Sequence, residues 1–205
     1  MVNGERGHTP ARRSQAERST ATRAALVAAA TELFATQGFA STPREEIVRA
    51  AGVTRGALYH HYADKADLFR AVFEAVEEQV MGRIAHAAMG TEDPVEQLRL
   101  GCRAYLDEAL DPRVRRICII DAPAVLDEAT RRDIATRYAL GMVREVVAAA
   151  MEAGRMAPQP VEALSQLLLA AVMAGPQFVA TADDPAAARR EAGTAVEALL
   201  DGLTA

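Results

Sequence analysis

Apolar residues recur along this chain at intervals of three and four, the period of an α-helix packed on one side. The first such stretch runs from about Thr20 to Gln37. Leu26, Ala30, Leu33 and Phe34 share one face there, and Gly38 supplies a C-terminal stop. Thr42, Pro43 and Glu45 then have the spacing of a capping box with proline at the first helical position, predicting a short helix that Gly52 ends. Thr54 reads as the cap of a second short helix, to about His61. Asp64 caps, and Asp67 reaches back into, a long helix to about residue 89 that turns Leu68, Val72, Val76 and Val80 inward. Pro94 and Pro112 each stand just inside a further helix start. "IDAPAVL" reads as a break, with Asp121 capping the turn. A long helix follows from about Asp127 to Glu152, with Gly154 as its stop. The apolar segment from Val161 to about Thr181 comes next, and "DDPAAARR" opens a last helix ending near Leu203. No stretch alternates with the period of a strand, and nothing repeats. The pattern predicts an all-α chain of about nine helices: a flexible basic arm over 1–18, a compact unit over 19–65 and a larger helical domain over 66–205.

Composition supports a folded, helical chain. Half of the 205 residues are hydrophobic and a quarter charged, with 4% aromatic and no tryptophan. The net charge of −5 hides a division along the sequence. Residues 1–65 carry nine basic against six acidic side chains, whereas residues 66–205 carry fourteen against twenty-two. A basic N-terminal third on an acidic remainder fits nucleic-acid contact at one end only. Cys102 and Cys118 lack metal-site or redox spacing and read as ordinary buried thiols of a reducing compartment. The N-terminus has no apolar run of the secretory type. Residues 163–182 are long enough for a membrane span. Their Ser165, Gln166, Gln177 and Gly-Pro pair, without flanking charge clusters, fit better a helix buried in a soluble, cytoplasmic assembly.

The densest chemistry lies in "AGVTRGALYHHY", residues 51–62. A metal site, a catalytic pair and a DNA-reading helix would all use such residues. Neighbouring positions on a helix diverge by about 100°, so His60 and His61 do not converge on one ion. No GxSxG, phosphate-binding glycine loop or HExxH accompanies them, so no catalytic residue, metal ligand or cofactor is assigned. Two short helices joined by Ala51-Gly52-Val53-Thr54 instead have the proportions of a helix-turn-helix. With Leu58 inward, Gly56 and His60 lie nearly opposite, flanked by Arg55 and Tyr59. Gly56 costs its short helix about 1 kcal/mol relative to alanine. Close approach of the backbone to another molecule, such as the DNA major groove, would give it a reason.

These residues carry a resemblance. The stretch from about 20 to 80 resembles the DNA-binding domain of the TetR (tetracycline-repressor-like) family of bacterial regulators. The matching residues are "AALVAAATELFATQGF", Ile47, "AAGVTRGALYHHY" and "DKADLFRAV". The resemblance implies phosphate contacts from Thr42 and Arg44 and a recognition helix spanning Thr54, Arg55, Gly56, Ala57, Tyr59 and His60. In it Arg55 meets a base edge, while Tyr59 and His60 meet the backbone. Lys65, the only lysine of the chain, is implied to bind a phosphate. Pro43, Val48 and Tyr62 depart from the family's usual aliphatic, alanine and phenylalanine.

Beyond residue 80 only the layout is similar. It implies a helical domain for a small-molecule effector and for homodimerisation, with Tyr105, Asp121, Tyr138, Met142, Met173, Gln177 and Phe178 as candidate pocket residues. The final helix places Ala188, Ala192, Ala195, Leu199 and Leu203 on one face, and the segment before it is apolar all round. Leu164, Leu168, Ala192, Leu199 and Leu203 are therefore the candidate dimer contacts. The expectation is a repressor released from an inverted-repeat operator in double-stranded DNA by a lipophilic molecule. Two alternatives stand beside it: an activator or co-repressor-dependent regulator of the same fold, and a helical carrier or enzyme of lipophilic molecules that no longer binds DNA.

Overall fold

The computed structural model describes residues 15–204. The described residues form nine helices: α1 Gln15–Gln37, α2 Arg44–Ala50, α3 Arg55–His61, α4 Lys65–Ala88, α5 Pro94–Glu108, α6 over 112–125, α7 Glu128–Glu152, α8 Val161–Thr181 and α9 Pro185–Asp201. The expected arm over 1–18 is thereby shortened: residues 15–18 form the first turn of α1, and 1–14 lie outside the described residues.

Local chemistry sets most boundaries. Thr54, Asp64, Asp93, Asp111, Asp127 and Asp184 each cap the helix that follows, with a side-chain oxygen accepting from a backbone N–H of the first turn. Asp67 reaches back to the Ala63 N–H at 3.0 Å. Gly38 and Gly52 follow α1 and α2 with φ of +82° and +65°, a conformation that costs other residues about 1–2 kcal/mol.

The expected capping box at Thr42 does not form. α2 begins at Arg44, and Pro43 precedes it without a side-chain cap. Thr42 is instead fully buried, and its hydroxyl donates to the Gly38 carbonyl at 2.8 Å, satisfying the loop after α1 rather than the start of α2.

The expected break at "IDAPAVL" is also absent. α6 is continuous through Pro112–Val114, a π-helical stretch Arg115–Asp121 and Ala122–Val125. The Ala122 N–H reaches back five residues to the Ile117 carbonyl. That wider turn accommodates Pro123, whose missing N–H would otherwise break an α-helical ladder. Asp121 caps nothing; its carboxylate is used elsewhere.

One apolar core joins the two parts of the chain. Leu26, Phe34, Ile47, Leu58, Leu68 and Phe69 of α1–α4 pack in the same cluster as Val114, Ile117 and Ala122 of α6 and Ile134 of α7. Each large side chain so buried contributes about 1.5–3 kcal/mol. A second cluster gathers Leu98 and Leu106 of α5, Val147 of α7, Leu168 and Val172 of α8, and Val196 and Leu200 of α9. The apolar α8 is by length and composition able to cross a membrane. Here it kinks after Met173, before Gly175 and Pro176, and lies against α5, α7 and α9.

Candidate nucleic-acid interface and ligand cavity

Packing of Ile47 and Leu58 against α1 fixes α2 and α3 at a tight turn and leaves the opposite face of α3 exposed. Arg55, Gly56, Tyr59 and His60 stand on that face, with Thr54 at its start and Ala57 half-buried. Gly56 has open space beside it: an added Cβ would meet only the Thr54 hydroxyl, at 4.0 Å. Nothing in the chain itself requires a glycine there.

Two guanidinium groups approach the Tyr59 ring, Arg44 of α2 at 5.4 Å and Arg55 at 5.6 Å from its centroid. Arg55 also donates to the Tyr59 hydroxyl at 3.4 Å and pairs with Glu45 at 3.7 Å. These contacts are solvent-exposed and worth little individually, so Arg55 is free to exchange them for a base edge or a phosphate. Tyr62, where phenylalanine is usual, buries its ring, and its hydroxyl accepts from Arg23 at 3.3 Å. That bond raises the Arg23 pKa.

Two expected phosphate contacts are repositioned. The Thr42 hydroxyl faces inward, as described. The Lys65 ammonium donates to the carbonyls of Phe39, at 2.7 Å, and Thr42, at 3.1 Å, and sits 4.3 Å from the centre of the Phe39 ring. Desolvation, and secondarily the charge of Arg44, lowers the Lys65 pKa. Two of its three donors are thus committed to the α1–α2 loop.

Helices α4, α5, α7 and α8 line an apolar cavity of about 110 Å³ beside a larger one of about 860 Å³. Glu77 of α4, Tyr105 of α5, Ala135 of α7 and Leu169 and Met173 of α8 border both. Among the expected pocket residues, Tyr105 and Met173 line both spaces, Met142 the smaller and Gln177 the larger. Three do not line them. Tyr138 packs against the N-terminal core, and Phe178 is 51% exposed. Asp121 accepts from the Phe39 N–H at 2.8 Å and from Arg116 at 3.2 Å.

Glu77, Cys102 and Cys118 were not among the expected residues. Phe73, Glu77, Met81 and Ile84 repeat at four, four and three, so a carboxylate inside an apolar stripe was the available signal. Burial raises the Glu77 pKa to about 7, against a hydrogen bond from Cys118 that lowers it. Burial pushes the Cys102 thiol up to about 11 and the Cys118 thiol well above its ordinary value. Both cysteines are free.

The expected dimer contacts divide. Leu168 is buried in its own protomer, and Leu164, Ala192 and Leu203 pack against the same cluster, so these four already have partners. Leu199 points outward at 53% exposure, as does Leu167 at 70%. The outward apolar stripe of α8 is therefore offset by one residue from the expected one.

A helix-turn-helix unit fused to a cavity-bearing helical domain defines a ligand-sensing class of DNA-binding fold, and comparison with known proteins agrees. Residues 26–72 match the model of bacterial regulatory proteins of the tetR family, and residues 95–203 the tetracyclin repressor-like C-terminal domain. A TetR-family transcriptional regulator from Pectobacterium atrosepticum is 31% identical and superimposes with a TM-score of 0.83, covering 94% of this chain and 98% of that one. The HTH-type transcriptional regulator CymR of Pseudomonas putida is 35% identical over 130 residues, 62% of this chain and 64% of CymR. AcrR of Shigella flexneri, also an HTH-type transcriptional regulator, is 37% identical over 81 residues, 39% of this chain and 38% of AcrR. The chain thus spans less than two thirds of the length of these two curated relatives. It belongs to the TetR family of bacterial regulatory proteins.

The position of Lys65 yields a prediction. Lys65→Met keeps the side-chain length and removes both charged hydrogen bonds, which should cost about 2 kcal/mol in urea unfolding. Unchanged stability would show that these two hydrogen bonds do not hold the α1–α2 loop.

Proposed function

We propose that this protein is a homodimeric, cytoplasmic transcriptional regulator without enzymatic activity, a repressor released from a palindromic operator by a small lipophilic molecule. The observation that carries the reading is the exposed face of α3. It presents Arg55, Gly56, Tyr59 and His60, with Arg44 beside them, in a chain whose remaining helices line an apolar cavity. Residues 19–65 form the DNA-binding domain and α4 links it to the effector and dimerisation domain, 66–205.

In this reading α3 enters the major groove, where a helix fits and base edges differ. Arg55 reads a base edge. Arg44, Tyr59 and His60 hold the backbone, with Thr54 and Ala57 near it at the start of the helix. The free N–H of Lys65 completes the phosphate contacts. The acidic remainder faces away from the duplex. The exposed Leu167 and Leu199, with Phe178, cover one another in the dimer. Ligand acts by binding more tightly to a spacing of the two α3 helices that no longer matches the operator's half-sites.

Binding to DNA flanking the protein's own gene tests the contacts. Arg55→Ala should lose about 1–3 kcal/mol of preference at one base position. Arg44→Ala should weaken binding to all sequences and reduce the salt slope by about one. The same pattern in both variants would contradict the assigned roles.

Leu199→Glu tests assembly, because a charge buried without a partner costs several kcal/mol. A folded monomer with no operator binding is expected in size-exclusion chromatography. A variant that elutes as a dimer would place the interface elsewhere.

A further inference from the structure

Glu77 is a buried carboxyl on the boundary of an apolar space. It is 9% exposed, and its hydrogen-bond donor is the Cys118 thiol. Among the described residues it forms no ion pair with an arginine, lysine or histidine. The basic side chains bordering the larger space are engaged elsewhere: Arg132 pairs with Glu128, and Arg131 donates to the Leu126 carbonyl. With only a weak thiol donor, an ionised carboxylate in such surroundings is unfavourable unless something supplies a counter-charge.

The surroundings specify that something. Glu108 adds negative potential at Glu77, although it is itself paired with Arg83. Met81, Met142 and Met173 offer polarisable sulfur, and Tyr105 a π-face. A ligand anion would meet repulsion from Glu77 and Glu108 and no free cation. An uncharged ligand would leave the carboxylate uncompensated.

We propose that Glu77, with Tyr105 beside it, is the anchoring site for the protonated amine of a lipophilic ligand whose apolar body fills the adjoining cavity. The proposal rests on the reading of this cavity as the effector site. It narrows the effector from any lipophilic molecule to a monocationic amine.

Groups facing Glu77 set its pH behaviour. Tyr105 and Glu108 face it from α5 and Cys118 from α6; α7 borders the same space with Glu128, Arg131 and Arg132, of which Arg132 pairs with Glu128 and Arg131 holds the Leu126 carbonyl, and α8 lines it with no charged side chain. Burial and the Glu77 charge raise the Tyr105 and Cys118 pKa values, so both stay neutral between pH 6 and 8. Glu77, with its pKa raised to about 7, is the group that ionises in that window. A cation should therefore bind more tightly as the pH rises through about 7, with Glu77 releasing its proton to solvent.

The test uses three fluorescent probes with one apolar body: 1-naphthylmethylamine, 1-naphthylmethanol and 1-naphthoate. Each is titrated into the full-length protein at pH 6 and 8. The amine should bind at least about tenfold more tightly than the alcohol at pH 8, lose much of that advantage at pH 6, and outcompete naphthoate at both. Glu77→Gln should bring the amine to within about threefold of the alcohol and leave the alcohol's own affinity nearly unchanged, which also confirms an intact cavity. The pH arm needs no variant and stands if the substitution disturbs folding. No binding of the amine, equal or tighter binding of the alcohol or naphthoate, or an undiminished preference in Glu77→Gln would overturn the proposal. Operator binding without probe is measured alongside. A protein that binds its operator but ignores the probe's charge overturns the anchor and leaves the regulator reading intact. One that prefers the amine but binds no operator does the reverse.

Discussion

The backbone of Phe39 ties the two halves of this molecule together. Its N–H donates to Asp121 of α6 and its carbonyl accepts from Lys65 at the start of α4. Its ring packs against those of Phe34 and Phe69, with centroids at 5.6 and 5.2 Å, beside the Lys65 ammonium. Arg116 ties to Asp121 and lies over Gly38, where any Cβ would collide with its guanidinium. A residue between two helices is thus fixed by charged groups from two others. The tilt of α2 and α3, and so the direction in which the α3 face points, depends on this clamp.

The clamp also connects the proposed DNA-binding face with the cavity. The π-helical stretch that places Arg116 and Asp121 on the α1–α2 loop turns Cys118 and Ile119 toward the larger internal space. The Cys118 thiol in turn donates to Glu77. A short chain of named contacts therefore runs from Glu77 through α6 to Phe39. α4 supplies a second route, because Glu77 and Lys65 stand on the same helix. A ligand that changes the charge of Glu77 acts on both.

Features decided by neighbouring residues were legible in the sequence. The aspartate caps, the Thr54 start of α3 and the inward Leu58 follow from spacing alone. Features decided across the fold were not. Thr42 has a cap's spacing, but once α1 and α2 are folded together its hydroxyl is buried and donates to the Gly38 carbonyl instead of accepting from the first turn of α2. Lys65 and Asp121 have partners 26 and 82 residues away in sequence. Periodicity placed α8 and α9 correctly but could not say which of their apolar sides the protomer itself would cover. Glu77 was visible as a carboxylate in an apolar stripe, yet only the enclosing helices reveal that it faces a cavity.

Amide hydrogen exchange at Phe39 tests the clamp most directly. Phe39 and Ala40 are adjacent in the same turn, but only the Phe39 N–H has a named acceptor, the Asp121 carboxylate at 2.8 Å. The Phe39 amide should exchange as slowly as amides inside α1 and α4, and the Ala40 amide fast. Asp121→Asn should speed Phe39 toward the Ala40 rate. Equal, rapid exchange of both amides in the unsubstituted protein would mean that the α1–α2 loop is free of α6 and that no clamp exists.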